Sequence, residues 1–117
     1  MAVNFVTSNP SNLLAEFKKR IKQSDSKGKI TTWEEDSDGD FTHKSSQWGN
    51  RAWMHPVIKS GILTFVIIGQ KDTVLVTEVY GFYHGHLTET FLNHFDNSFS
   101  TASSTALPTP EDRVTTS

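Results

Sequence analysis

The residues with the clearest potential for chemistry are the histidines in the stretch FYHGHLTETFLNHFD. His84 and His86 flank Gly85. In an extended backbone, residues two apart point to the same side, so this pair can hold one metal ion. Glu89 follows His86 by one helical turn and can provide a third ligand. His84, His86 and Glu89 are therefore the candidate metal ligands of this sequence.

The same stretch also fits an amphipathic helix. His86, Thr90 and His94 recur every four residues beside an apolar stripe, where half-buried amphipathic side chains are ordinary. In a helix that begins near His86, His94 lies about 12 Å farther along the axis, so the two cannot share an ion. The helical interpretation is favoured, and we expect no tightly bound transition metal and no cofactor, because two histidines without cysteine form a weak site. The stripe consists of Leu87, Phe91, Phe95 and Phe99.

Catalytic chemistry of other kinds has little support. The chain contains no cysteine, which excludes a disulfide framework, a thiol nucleophile and a thiolate zinc site. It also lacks a Gly-x-Ser-x-Gly elbow, a glycine-rich phosphate loop and a His-Glu-x-x-His motif. A hydrolase or nuclease that uses His84 or His86 together with His55 as acid and base remains the alternative. A cation such as Lys59 or Arg51 would then stabilise developing charge.

A segment rich in tryptophan, SSQWGNRAWMHP, suggests a binding surface. Trp and Arg dominate interface hot spots, and Met adapts to the shape of a partner. Trp53 lies in a segment that fits a strand and can face the core, whereas Trp48 lies in a predicted loop without an obvious core partner. The candidate binding residues are Trp48, Arg51, Trp53 and Met54.

An acidic run, EEDSDGD, places five carboxylates in seven residues, a density that can bind calcium or magnesium. Its spacing does not match an EF-hand, because Gly39 precedes Asp40 and the twelfth position counted from Asp36 is Gln47. Asp38 and Gly39 are the preferred pair for a hairpin turn. We therefore interpret the run as a solvated hairpin tip.

Basic residues are concentrated between Lys18 and Lys29, which hold six of the eleven in the chain. The formal net charge of the whole chain is nevertheless −2, so no global field attracts nucleic acid or anionic lipid. Aromatic residues do not alternate with these basic ones, whereas proteins that stack nucleic-acid bases combine the two types. This pattern disfavours nucleic-acid binding.

The elements that must position these residues follow from periodicity. Leu13, Phe17 and Ile21 predict a first helix, which Asn9 and Pro10 can start. ITTWEEDSDGDFTHK predicts two short strands around the Asp-Gly turn. RAWMHPVIK predicts a third strand, at an edge or a bulge because it contains proline. ILTFVIIG and TVLVTEVYG predict a central hairpin, and the histidine stretch then forms a second helix.

The element order predicts an α+β fold in which an antiparallel sheet of about five strands is flanked by an N-terminal and a C-terminal helix. Residues 1–99 form the predicted single domain. Residues 100–117 are rich in Ser, Thr and Pro and are predicted to be a disordered tail. The sequence shows neither a secretory signal nor a membrane span, so we expect a cytoplasmic protein.

These features favour a small protein-binding module, such as an adaptor, an inhibitor or an immunity-like protein, that acts through the Trp/Arg/Met surface. Its expected partner is another protein or a second copy of itself, and we expect no membrane partner. The histidine-based metal or acid–base hydrolase or nuclease is the second hypothesis.

Overall fold

The fold is one antiparallel sheet of six strands with two helices, and the computed structural model describes residues 1–115 of it. The strand order across the sheet is β2-β3-β4-β5-β1-β6. The predicted α+β class with an antiparallel sheet and two helices is confirmed, with six strands instead of about five. The elements are β1 (Ala2–Val6), α1 (Pro10–Lys22), β2 (Trp33–Glu35), β3 (Phe41–His43), β4 (Ala52–Lys59), β5 (Ile62–Gly69), α2 (Thr77–Phe95) and β6 (Thr101–Ser104).

Both helices pack on the same face of the sheet. The ring of Phe65 on β5 lies 5.9 Å from that of Phe17 on α1 and 5.7 Å from that of Phe91 on α2. Strand residues alternate between the two faces, so the neighbours of Phe65 on β5, Thr64 and Val66, point the other way. Neither helix within residues 1–115 combines the length and the apolar character needed to cross a membrane.

The first helix and the acidic hairpin are as predicted. The side chain of Asn9 accepts a hydrogen bond from the backbone N–H of Asn12 at 3.1 Å and caps α1. The turn between β2 and β3 is closed by the backbone N–H of Asp36, which donates to the carbonyl of Asp40 at 2.8 Å. Gly39 has a φ of +82°, a conformation that glycine adopts without strain.

Proline in β4 lies where the sheet tolerates it. Strand β3 pairs with β4 only at Met54, opposite Phe41. Pro56 lies beyond that pair, on a stretch of β4 that pairs with β5 alone. The missing N–H therefore costs no hydrogen bond to β3, although β4 lies between β3 and β5 and is not the predicted edge strand.

The predicted strand over residues 73–81 is wrong, because α2 already begins at Thr77. Val79 and Tyr83 continue the spacing of four that Leu87, Phe91 and Phe95 follow, and all five side chains are buried. The β-branched residues before Thr77 suggested a strand, but the four-residue period extends upstream through Tyr83 and determines the helix.

The two strands that the sequence did not reveal pair with each other. Strand β1 lies between β5 and β6, and β6 pairs with it from Val3 opposite Ser104 to Val6 opposite Thr101. Strand β6 belongs to the segment predicted to be disordered. A strand held by backbone hydrogen bonds at a sheet edge needs no apolar periodicity, which is why its polar composition was misleading.

The chain after β6 also contacts the sheet. The backbone N–H of Arg113 donates to the carbonyl of Ile67 at 3.1 Å, and the N–H of Gly69 donates to the carbonyl of Arg113 at 2.9 Å. The N–H of Leu75 donates to the carbonyl of Thr115 at 2.9 Å. In contrast to the predicted disordered tail, residues 101–115 are therefore docked, while residues 116–117 of that tail lie outside the described residues.

A buried carboxylate fixes this docked segment. The side chain of Asp112 is fully buried and accepts a hydrogen bond from the backbone N–H of Ile67 at 2.9 Å. Its second oxygen accepts from the backbone N–H of Thr109 at 2.6 Å and lies 3.2 Å from the amino group of Met1. The C-terminal segment is thus tied to both β5 and β1.

Candidate functional site

The two neighbouring histidines do not form the predicted chelating pair. Because both lie within α2, where consecutive residues turn by about 100°, His84 and His86 project to nearly opposite sides of the helix. Glu89 approaches His86 alone, with 4.0 Å between its Oε1 and the imidazole Nε2. The predicted metal set of His84, His86 and Glu89 is therefore not brought together.

His86 instead belongs to a stack of aromatic rings, here called the aromatic stack, formed by Trp48, Phe82, His86 and Trp33. The ring of Trp48 lies 4.3 Å from that of Phe82 with an interplanar angle of 8°. Phe82 and His86 are 5.4 Å apart at 6°, and His86 and Trp33 are 5.7 Å apart at 28°. The stack extends from the half-exposed Trp48 to Trp33 in the core.

His43 packs edge-on against this stack and was missed in the sequence. Its ring lies 4.6 Å from that of His86, and burial, with the nearby His86, lowers its pKa. Its Nδ1 accepts a hydrogen bond from the backbone N–H of Ser45 at 3.1 Å. The hairpin register, which pairs His43 with Trp33, is the signal that would have located it beside the stack.

The imidazoles of His43 and His86 pack against each other and against aromatic rings. Within residues 1–115, the buried Nε2 of His43 and Nδ1 of His86 have no hydrogen-bond partner. For His43, burial disfavours the charged imidazole and so lowers its pKa. Their geometry is that of amphipathic packing residues, which supports the helical interpretation of the histidine stretch.

The acidic turn contains the one carboxylate cluster compact enough for a cation within residues 1–115. One oxygen from each of Asp36, Asp38 and Asp40 lies within 4.8 Å of the others. However, Oδ1 of Asp36 already accepts hydrogen bonds from the backbone N–H groups of Asp38 at 2.9 Å and Asp40 at 3.0 Å. These bonds are those of a hairpin turn, in agreement with the interpretation from sequence.

The basic helix and the acidic hairpin partly neutralise each other. Glu35, whose side chain is 10% exposed, lies 2.9 Å from the Nζ of Lys22 and 3.4 Å from that of Lys18. Two of the cations that suggested a phosphate-binding helix thus bind a carboxylate of the same chain. This arrangement supports the interpretation of the basic segment as a solvated helix face.

His55 forms a separate carboxylate–imidazole pair. Its Nδ1 lies 2.6 Å from Oδ1 of the buried Asp40. Because Met54 faces the core under the helices, the next residue His55 points to the opposite face of the sheet. His55 and His86 therefore lie on opposite sides of the sheet, and the predicted acid–base set does not converge.

The remaining acid–base candidate, His84, is a core residue. Its side chain is buried, and its Nε2 has no hydrogen-bond partner within residues 1–115. The ring of Tyr80 packs 5.7 Å away. Burial lowers the pKa of His84 to about 4. At neutral pH this imidazole is uncharged and enclosed, which does not suit a residue that exchanges protons with a substrate.

The buried His84 makes the folded protein sensitive to acid. An unfolded chain protonates histidine near pH 6.5, whereas folded His84 resists protonation until about pH 4. As the pH falls through this interval, the unfolded state binds a proton that the folded state does not. We expect the free energy of unfolding to fall by up to about 3 kcal/mol between pH 6.5 and pH 4 on this account. Urea denaturation at several pH values measures it.

The matched variant for this prediction is His84→Gln, which cannot be protonated. It should be less stable than the wild type at pH 7 but should lose less stability on acidification. Burial also lowers the pKa of His43 and His94, so part of the acid sensitivity should remain in the variant. Parallel losses in wild type and variant would contradict the role of His84.

The four predicted binding residues do not form one surface. Met54 is fully buried in the core, so it cannot contact a partner. Trp53, the preceding residue on β4, is half-buried on the other face of the sheet. Trp48 packs against Phe82 and is not a free anchor. Of the four, only Arg51 is exposed.

Arg51 lies at the rim of a small pocket, here called the Arg51 pocket. The pocket has a volume of about 180 Å³. Buried Leu75 and Val79 contribute to its lining from the core, while Val74 and Val76 remain 43% exposed. The lining comprises Arg51, Gln70, Thr73, Val74, Leu75, Val76 and Val79. An exposed cation therefore lies beside an apolar depression that the protein itself leaves open.

Neighbouring segments hold this pocket in shape. The side chain of Gln70 donates a hydrogen bond to the carbonyl of Asn50 at 3.1 Å, which connects the two loops around the pocket. The N–H of Leu75 donates to the carbonyl of Thr115, so the docked C-terminal segment supports the wall. The sequence singled out Arg51 but assigned the valines to a strand.

In searches of protein-family models, curated proteins and solved structures, no match to this chain was found.

Proposed function

We propose that this protein acts by binding another protein, as an adaptor or inhibitor does, through the Arg51 pocket. The observation that carries the proposal is the combination of two half-exposed valines, Val74 and Val76, with an exposed arginine at one preformed depression. Apolar side chains grouped on a surface mark interaction sites, and arginine is enriched at their energetic centres.

The size of the pocket favours a protein side chain over a small molecule. Pockets for small molecules and cofactors usually enclose about 300–1,000 Å³. The Arg51 pocket, at about 180 Å³, suits one aliphatic side chain of a partner. The rest of such an interface would then spread over the surrounding loops.

The cation at the rim is held in place before any partner binds. The guanidinium of Arg51 lies 5.6 Å from the centre of the Trp48 ring, and that ring also stacks on Phe82. The carbonyl of Trp48 also accepts a hydrogen bond from the hydroxyl of Tyr83 on α2. A side chain ordered in this way loses less conformational entropy on binding, which favours affinity.

Val76→Asp tests the proposal. A carboxylate in the pocket should weaken partner binding by at least about 10-fold, because it would place a charge against the partner's apolar side chain and could itself pair with Arg51. The melting temperature should not fall, since Val76 is half-exposed and is the N-cap residue of α2, where the carboxylate of aspartate can accept a hydrogen bond from a free backbone N–H. Partners are identified by a photo-crosslinking residue at position 76, and self-association is measured by sedimentation of the wild type.

Ile58 provides a matched control for this experiment. It is 46% exposed, similar to Val76, but lies on β4 seven residues from Arg51, about 23 Å along the strand. A crosslinking residue at position 58 should give no product, and Ile58→Asp should leave binding unchanged. Equal crosslinking at both positions, or full binding by Val76→Asp, would contradict the proposal.

The acid–base alternative is supported by one observation, the distance of 2.6 Å between His55 and Asp40. A carboxylate that accepts a hydrogen bond from an imidazole orients that ring, as in many acid–base sites. The pair ranks second because His86 lies across the sheet and His84 is enclosed in the core. An Asp–His pair without a converging third group is also common as a plain structural contact.

A further inference from the structure

The apolar part of the Arg51 pocket selects for side-chain shape. Val74 and Val76 are half-exposed in its lining, and Leu75 and Val79 are buried. A branched aliphatic side chain would cover the exposed parts of Val74 and Val76 and lose its own contact with water. A long polar side chain would place polar atoms against the apolar side chains of the lining.

The charged part selects for an anion. Within residues 1–115, Arg51 forms no ion pair with a carboxylate of its own chain. Other cations of this protein, such as Lys22 and Lys59, are paired with Glu35 and Glu111. The planar guanidinium offers parallel N–H donors that match the two oxygens of a carboxylate.

From these two parts we infer that the Arg51 pocket recognises a protein segment in which a branched aliphatic residue is adjacent to a carboxylate. This inference rests on the proposed function and names the chemistry of the partner. The aliphatic side chain enters between Val74 and Val76, and the carboxylate pairs with Arg51 at the rim. The carboxylate is that of an Asp or Glu side chain or of a chain terminus, because both present the same two oxygens.

Selection from a library of random heptapeptides on the immobilised protein tests the inference. The wild type should enrich peptides that carry Val, Ile or Leu next to Asp or Glu. An enriched peptide should bind Arg51→Gln at least about 10-fold more weakly, the effect expected for loss of a charged hydrogen-bond partner. Arg51→Glu should instead enrich peptides with Lys or Arg beside the aliphatic residue. Lys19→Glu, which changes an exposed cation on α1, should select the same peptides as the wild type.

Synthetic versions of the enriched peptides, with a free or an amidated C-terminus, distinguish the two sources of the carboxylate. Enrichment of aliphatic peptides without acidic residues, with equal binding by Arg51→Gln, would overturn the inference. If Val76→Asp then abolished binding, the proposed function would stand. Absence of any enrichment, or binding that survives Val76→Asp, would overturn both.

Discussion

Truncation of the chain after Ser100 is expected to lower the free energy of unfolding by about 4 kcal/mol or more. The truncation deletes Asp112, which forms a buried ion pair with the amino group of Met1. Removal of one partner of a buried ion pair alone costs about 3–5 kcal/mol. It also deletes β6, which covers the edge of β1. Urea and thermal denaturation of both chains at pH 7 measure the difference.

Two point variants separate the causes of this loss. Asp112→Ala should reproduce a large part of it, because the backbone N–H groups of Ile67 and Thr109 lose their acceptor. Leu107→Ser should have almost no effect, because that side chain is 76% exposed. A truncated chain that melts within about 2 °C of the full chain would support the disordered tail predicted from composition.

The elements that could be predicted from the sequence carry their determinants locally. The first helix is specified by the stripe through Leu13 and Phe17 and by the cap at Asn9. The acidic hairpin is specified by a glycine that adopts a positive φ. In both cases, residues within one or two turns of each other determine the conformation, so a single sequence suffices.

The elements that escaped prediction depend on distant parts of the chain. Strand β1 lies between β5 and β6, and β6 is defined by its pairing with β1. The start of α2 at Thr77 was obscured by β-branched residues, which have strand propensity but pack in this helix through Val79. Propensity is a weak guide where tertiary packing decides the outcome.

The candidate site was only partly visible for the same reason. Arg51 was singled out by residue type, and it is indeed exposed. Val74 and Val76, more than twenty positions later, join it only because the loop after β5 returns to the start of β4. The spacing of His84 and His86 suggested a metal site only if the backbone were extended. Both residues lie in α2, so that condition is not met.

Replacement of Trp33 by alanine is expected to lower the free energy of unfolding by about 3–5 kcal/mol. The side chain is fully buried, and its Nε1–H donates to the hydroxyl of Thr90 at 3.1 Å. The ring also packs on His86 at one end of the aromatic stack and lies 5.6 Å from Tyr83. The variant therefore leaves a large cavity between β2 and α2 and removes one of the two hydrogen bonds of the Thr90 hydroxyl, which still donates to the carbonyl of His86 at 2.8 Å. Denaturation in urea measures the loss.

Trp53 is the matched control for this substitution, because both tryptophans lie on strands but only Trp33 is fully buried. Trp53 is half-buried on the sheet face away from the helices, so Trp53→Ala should cost about half as much as Trp33→Ala. Trp33→Phe should fall between wild type and Trp33→Ala, since it keeps most of the volume and loses the hydrogen bond to Thr90. Equal losses for Trp33→Ala and Trp53→Ala would mean that the second face of the sheet is as thoroughly covered as the first.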